Sequence, residues 1–334
     1  MFKRFVKKYN LPSYRVSQIH SQYYRALISS WEELSTWPKD LREKLKEEIH
    51  FSELTYISKE TSESDNTIKV LFKTEKGNFV ESVLMKEKDR NTVCVSCMSG
   101  CPVGCIFCAT GQMGLNELLN ENQILDQVLY FARELKLENE KVTNIVYMGM
   151  GEPMYNLESV AHSINILTDP EKVALGRRRA TVSTAGDIQN LKKFLNMKLG
   201  VKLAVSLHAP NQELRDMLMP KISIKNPLSE LFALLDSYVN ESNKRITYEY
   251  VLLRDLNDTK EHAKELATLL KDRLALVNLI NYNENECLPF KKSLNSKQFQ
   301  DILLKSGITC TIRKSYGEDI KGACGQLGLA NNPK

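Results

Sequence analysis

The pattern of apolar and polar positions changes character along the chain. In the first fifty residues it suits helices: Val16–Ser29 mixes polar and apolar positions, and Trp31–Ile49 has helical spacing broken at Pro38. Pro38-Lys39-Asp40 marks a helix start, where the proline ring's fixed φ and missing N–H do no harm. Next, Ile68–Thr74 and Phe79–Met85 are strand-like and are joined by the turn signal Glu75-Lys76-Gly77-Asn78. These elements predict a small α+β accessory domain over residues 1–86.

From about residue 90 strand-like and helix-like runs alternate. The strands are expected at Thr92–Ser96, Asn144–Met148, Ala180–Ser183, Lys202–Leu207, Thr247–Leu253, Val277–Asn281 and Ile308–Arg313. The helices are expected at Glu121–Leu137, Leu157–Leu167, Ile188–Asn196, Leu228–Asn240, Lys260–Lys271 and Ser296–Lys305. Ile124, Leu125, Val128, Leu129 and Ala132 give the first of these an apolar face. Repeated β-α units imply an α/β fold with a parallel sheet, curled into a full or partial (β/α) barrel over 87–317. A carboxy-terminal segment, 318–334, remains. Chemistry in such barrels sits at the C-terminal ends of the strands.

At 334 residues the chain suits one barrel plus an appendage. It has no apolar run of membrane-span length, and Met1-Phe-Lys-Arg-Phe-Val-Lys-Lys8 holds no signal-peptide core. A cytoplasmic location without membrane contact is expected. The net charge of +5 is mild but uneven. Before Glu32 stand Lys3, Arg4, Lys7, Lys8, Arg15 and Arg25 with no acid, interleaved with Phe2, Phe5, Tyr9, Tyr14, Tyr23 and Tyr24. Two readings stand: an RNA surface that attracts phosphate and stacks bases, or solvated helix faces over core aromatics. Arg177-Arg178-Arg179 is a second basic cluster, open to the same two readings.

Of eight cysteines, five fall between positions 94 and 108. A reducing cytosol disfavours disulfide frameworks, so the crowding points to metal binding or catalysis. Cys101, Cys105 and Cys108 form a C-x3-C-x2-C run. Three thiolates can hold three irons of a [4Fe–4S] cube, whereas complete clusters usually take four. The fourth iron then keeps a position for the amino and carboxylate groups of S-adenosylmethionine (SAM), and the pair can generate a hydrogen-abstracting 5′-deoxyadenosyl radical. Gly104 lets the loop fold around the cube and Phe107 covers it. A zinc site from Cys94, Cys97, Cys105 and Cys108 is the competing assignment. It would make the chain a non-catalytic RNA-binding protein. A radical SAM enzyme acting on a small molecule is a third possibility.

The stretch Cys94-Val-Ser-Cys-Met-Ser-Gly-Cys101-Pro-Val-Gly-Cys105-Ile-Phe-Cys108-Ala-Thr-Gly-Gln-Met-Gly114 resembles the radical SAM adenine methyltransferases of the RlmN/Cfr type. Matches continue in order with Gly149-Met-Gly-Glu-Pro153, Val182-Ser-Thr-Ala-Gly186, Ser206-Leu-His-Ala-Pro210, Tyr248-Glu-Tyr-Val-Leu252, Asn278-Leu-Ile-Asn-Tyr-Asn283 and Gly322-Ala-Cys-Gly-Gln-Leu327. The resemblance covers nearly the whole chain, and Cys94 with the Gly-Ala-Cys-Gly-Gln end is its specific mark.

The resemblance implies methylation of an electron-poor adenine carbon through a methylated cysteine, with two SAM molecules per turnover. Cys324 would carry the methyl group, and Cys94 would resolve the protein–RNA link, leaving a Cys94–Cys324 disulfide. Cys324 would swing on a flexible glycine-bearing tail. Gly151 and Glu152 would contact SAM, as would the strand end Ser206, Leu207 and His208; Ser183 and Asn283 would hydrogen-bond its ribose or adenine. Glu81 would accept a proton near the substrate adenine. The implied substrates are 23S rRNA, at C2 of an adenine in the peptidyl-transferase region, and the tRNA adenine 3′ to the anticodon. The implied electron donor is a flavodoxin or ferredoxin, and the chain is expected to be a monomer. The Cfr-type alternative methylates C8 of the same rRNA adenine and confers drug resistance. Asp89-Arg-Asn-Thr92 and Ala204–Asn211 look more like the C2 type, while Gln123–Phe131 leans toward the C8 type. Cys97-Met98 stands where the family usually has Ser-Gln, and Asn281 where proline is common. Cys287 and Cys310 read as structural or incidental.

Overall fold

Ten strands form one sheet in a computed structural model that describes residues 2–328. β1 (Leu54–Thr61), β2 (Ile68–Thr74), β3 (Phe79–Glu87) and β4 (Arg90–Cys94) pair antiparallel in succession. β5 (Met98–Cys101) and β6 (Gly114–Leu118) make a separate two-stranded sheet that frames the cysteine loop. β7 (Asn144–Tyr147) then pairs in parallel with β4, and β8 (Ala180–Thr184), β9 (Lys202–Ser206), β10 (Ile246–Leu252), β11 (Ala275–Asn281) and β12 (Cys310–Arg313) follow in parallel. Strand order leaves β1 and β12 as edges, so the barrel is partial. The expected boundary at 86/87 falls in the β3–β4 hairpin, within this continuous sheet.

Helices cover the sheet, and their ends follow capping chemistry. Asn120 and Gln123 form a reciprocal capping box at the head of Glu121–Leu137. Asp187, Asn211 and Thr259 accept backbone N–H bonds at three other helix starts. The expected spans Ile68–Thr74, Glu121–Leu137, Ile188–Asn196 and Ser296–Lys305 agree at both ends. β1 was not anticipated, because seven of its eight residues are exposed and it shows no apolar alternation.

Residues 2–51 have a core of their own. Phe2, Phe5, Tyr23, Tyr24, Trp31 and Trp37 are all buried there, and Phe2 meets Trp31 edge-on at 5.7 Å. The base-stacking reading is therefore corrected for Phe2, Phe5, Tyr23 and Tyr24, which pack in this core, whereas Tyr14 is exposed. Asp126, on the first barrel helix, ties this lobe down by accepting bonds from Ser52 Oγ and the Glu53 and Leu54 N–H groups. No helix among the described residues is long and apolar enough to cross a membrane.

Beyond β12 the chain crosses the open side of the barrel. Lys69 Nζ donates to Ile320 O at 2.6 Å, Asp65 accepts from Gly317 N, and Asp319 accepts from Glu63 N. The strap thus bridges β12 to the antiparallel end of the sheet. Residues 329–334 of the expected carboxy-terminal segment lie outside the described residues.

Candidate active site

Parallel strands bring their C-terminal ends to one rim, and the residues after each end line a cavity of about 170 Å³ there. Cys101, Cys105 and Cys108 form one wall, with Gly151, Glu152, Ser183, Ser206 and His208 opposite. A smaller cavity of about 80 Å³ adjoins it and is lined by Cys94, Cys324, Cys108, Asn283 and Arg313. Cys94 and Cys324, distant in sequence, therefore share one recess beside the cysteine loop.

The loop turns at Gly104, whose φ of +68° is open chiefly to glycine. Ile106 N is anchored on Leu218 O at 3.1 Å, and Cys108 N donates to Cys105 O. Burial pushes the Cys101 thiol up to about 12 and raises Cys105 and Cys108 as well. Such thiols ionise only against strong positive charge, which iron supplies. Among the described residues no three His, Cys, Asp or Glu side chains are grouped as a single ion requires. A cube takes one thiolate per iron, and the three thiols that line this cavity fit it. Cys97 lies in the main core, away from both cavities.

The rest of the wall fits a polar ligand. Gly151 has φ +100°, and a Cβ there would meet Met98 at 2.6 Å. Glu152 is buried: Oε1 accepts from Thr184 Oγ1 at 2.6 Å and Met154 N at 3.0 Å, and Oε2 from Ala185 N at 2.7 Å. Burial pushes its carboxyl up to about 7, so a cationic group beside it would favour the charged form. His208 holds a left-handed φ of +60°. Its Nδ1 accepts from Val251 N at 3.1 Å, and burial lowers its pKa to about 3, so the ring is neutral with its proton on Nε2. The Ser183 and Ser206 hydroxyls lie 3.4 Å apart. Glu249 Oε2 and the Tyr282 hydroxyl, both on this wall, have no hydrogen-bond partner among the described residues. Orphaned buried polar atoms of this kind mark a place for a ligand.

Three expected residues sit elsewhere. Leu207 is fully buried in the main core, because alternate residues of an extended segment face opposite sides. Asn283 donates to Cys324 O at 3.1 Å, on the smaller cavity. Glu81 is buried on β3 and lines neither cavity; its Oε2 accepts from Gly328 N at 2.7 Å, and Lys69 Nζ lies 3.8 Å from Oε1. The tail is also held more firmly than expected. Ala109 N donates to Gly325 O at 2.8 Å, Thr110 Oγ1 to Leu327 O at 2.7 Å, and Gln326 Nε2 to Glu284 O at 3.0 Å.

Sequence reasoning missed Arg313, the last residue of β12. Its guanidinium lines both cavities, and its pKa is raised first by Cys324, then by Glu249 and Cys94. Burial pushes the Cys94 thiol up to about 12, and Arg313 opposes that shift. Glu249 was missed too. A charged residue ending a strand and an acid inside an apolar strand were the available signals.

Residues 95–270 match the Radical SAM superfamily model. The chain is 41% identical to the probable dual-specificity RNA methyltransferase RlmN 2 of Protochlamydia amoebophila, over 97% of this chain and 91% of the relative. It is 41% identical to the dual-specificity RNA methyltransferase RlmN of Campylobacter jejuni, over 95% and 92%. Its fold superposes on a crystal structure of a radical SAM methyltransferase from Sphaerobacter thermophilus with a TM-score of 0.95, at 41% identity, covering 97% and 96% of the two chains.

Proposed function

The chain belongs to the RlmN family of radical SAM RNA methyltransferases, and from that premise we propose that it methylates C2 of an adenine in 23S rRNA and of the adenine 3′ to the tRNA anticodon. The relatives' shared description as dual-specificity enzymes supports two RNA substrates and favours the C2 type over the Cfr type. The observation that carries the reading is the shared recess of Cys94 and Cys324 beside the three-cysteine loop.

Bound at Cys101, Cys105 and Cys108, a [4Fe–4S] cluster with SAM supplies a radical able to abstract hydrogen, and a second SAM supplies the methyl group. Glu152 and the Ser183–Ser206 edge orient the cofactor's polar end, and neutral His208 offers Nε2–H as a donor. Cys324 carries the methyl as a thioether, which avoids direct displacement at an electron-poor ring carbon. The Cys94 thiolate then attacks Cys324 Sγ; the sulfur–methylene bond breaks with its electron pair passing to the methylene carbon, which takes a proton to become the RNA methyl group, and a Cys94–Cys324 disulfide is left. Arg313 favours the attacking thiolate. Glu81 is the proposed acceptor of the ring proton, reached once Gly328 N releases its Oε2. The target base must leave its stack to enter the cavity, at a cost of a few kcal/mol. A flavodoxin or ferredoxin as donor, a monomeric state and a cytoplasmic location complete the proposal.

The test is anaerobic reconstitution of the full chain with iron and sulfide, then incubation with methyl-labelled SAM, dithionite and a 23S rRNA fragment, read by nucleoside mass spectrometry. The expected product is 2-methyladenosine. 8-Methyladenosine would move the chain to the Cfr type, and SAM cleavage with no methylated adenosine would refute the RNA substrate.

A further inference from the structure

The opposite rim of the barrel carries an unassigned row of cations. Arg90 opens β4, Arg179 immediately precedes β8, Lys202 opens β9 and Arg245 immediately precedes β10. The parallel register Thr92↔Asn144, Ile145↔Ala180, Thr181↔Lys202 and Thr247↔Ala204 puts these starts on one edge, with only Asn144 of β7 between Arg90 and Arg179. Arg178 adjoins the row, and all five cations are exposed. At about 4.8 Å per strand they span roughly 20 Å, room for several successive phosphates.

These charges crowd one another. Burial and then the charges of Arg90, Arg179, Arg245 and Arg178 hold the Lys202 ammonium below its usual value. The hydrogen bonds the row makes are to neutral oxygens: Arg90 Nε to Thr92 Oγ1 at 3.2 Å and Arg179 Nη1 to Asn144 Oδ1 at 3.5 Å. Three exposed acids lie near Arg90 at this end of the row: Glu87, opposite it in the hairpin and bonded by Tyr316, Asp89, and Glu140, bonded by Asn91. A groove of about 410 Å³ continues the surface beside β9; Lys192, Lys198, Lys244 and Glu241 line it together with apolar side chains such as Phe194 and Tyr238.

Four of the five cations in the row are arginines, whose planar fork matches phosphate oxygens. Strands of five to seven residues separate it from the cofactor cavity by on the order of 15–20 Å, so one nucleotide cannot occupy both.

We propose that this rim is a second RNA-binding surface, which grips backbone phosphates of a large RNA remote from the adenine being modified. The proposal rests on the RNA-methyltransferase reading. It makes a size distinction: a short stem-loop fills the cavity without reaching the rim, whereas a domain-sized rRNA fragment wraps to it.

The test compares the reconstituted full chain with the combined variant Arg178→Gln, Arg179→Gln, Lys202→Gln and Arg245→Gln. Two RNAs are used, a short stem-loop bearing the target adenine and a domain-sized 23S rRNA fragment. Binding is measured across a salt titration, and methylation at limiting RNA. The variant should bind the long RNA on the order of tenfold more weakly, with its log–log salt slope shallower by about 0.7–0.9 for each phosphate that the rim no longer neutralises. Binding and methylation of the stem-loop should not change. Unchanged binding of the long RNA overturns the proposal, as does an equal weakening on both RNAs. Slower reduction by flavodoxin with unchanged RNA binding also overturns it and assigns the rim to an acidic protein. Removing like charges relieves repulsion, so thermal unfolding should not shift downward; if it does, the Lys202→Gln, Arg245→Gln pair answers the same question. Failure of the wild-type chain to methylate either RNA refutes the catalytic reading, while the salt slopes still decide the rim.

Discussion

The cysteine loop and the tail bring sulfur to the same mouth, but the protein equips them differently. Around Cys101, Cys105 and Cys108 it supplies burial and a folded backbone, and burial dominates the upward shift of all three thiols. Around Cys94 and Cys324 it also supplies a cation, Arg313, at the edge of both cavities. Lys221 near Cys101 and Arg215 near Cys105 oppose the shift at the loop, but neither lines the cavity, whereas Arg313 stands on the lining of both. The contrast teaches that the ligand site and the nucleophile site differ less in their cysteines than in where the nearest cation stands, off the cavity lining or on it.

Substitutions can break this division. The largest expected effect is from Cys105→Ala, which should abolish bound iron, SAM cleavage and methyl transfer together, as read by iron analysis and product assays. Cys324→Ala should abolish methylation while iron content stays at wild-type level; loss of iron as well would mean that the two segments are not separable. Arg313→Met should leave iron content intact and lower the thiolate fraction at Cys94 by roughly tenfold or more, because the cation that opposes its upward shift is gone. The rate of iodoacetamide labelling of the apo chain should fall, and the pH–rate profile should move to higher pH. The smallest effect is from Glu152→Gln. Folding raises the Glu152 carboxyl from 4.5 to about 7, so the folded state holds its proton more tightly. Stability is then fully present below pH 4.5 and declines as pH rises through 7, by about 3 kcal/mol at most. The glutamine variant should lose that part of the slope between urea midpoints at pH 5 and pH 7.5.

What the sequence revealed follows the range of the forces involved. Helices with an apolar stripe and a side-chain cap were readable because both signals are local. The cysteine loop was readable for the same reason, since its spacing carries its chemistry. β1 was not, because an exposed edge strand has no face to alternate. The placement of the tail was also hidden: Lys69 meets Ile320, and Asp65 meets Gly317, across some 250 residues. No local pattern encodes such pairings. For the front aromatics the sequence left core and base-stacking both open, because what decides it is packing against Trp31 and Trp37 in other turns of the same lobe. Leu207 shows the reverse error: a motif residue was taken with its neighbours, although the backbone turns it inward.

The strap across the open side of the barrel also bears on how the protein is made. The cysteine loop leaves the ribosome more than two hundred residues before Cys324. At about 5–20 residues per second, that interval lasts roughly ten to forty seconds. β12 is made only a few residues before the strap, so the open side of the sheet and the segment that crosses it are completed almost together. The three thiols of the loop are thus in the chain well before the segment around Gly317–Ile320 that crosses the open side.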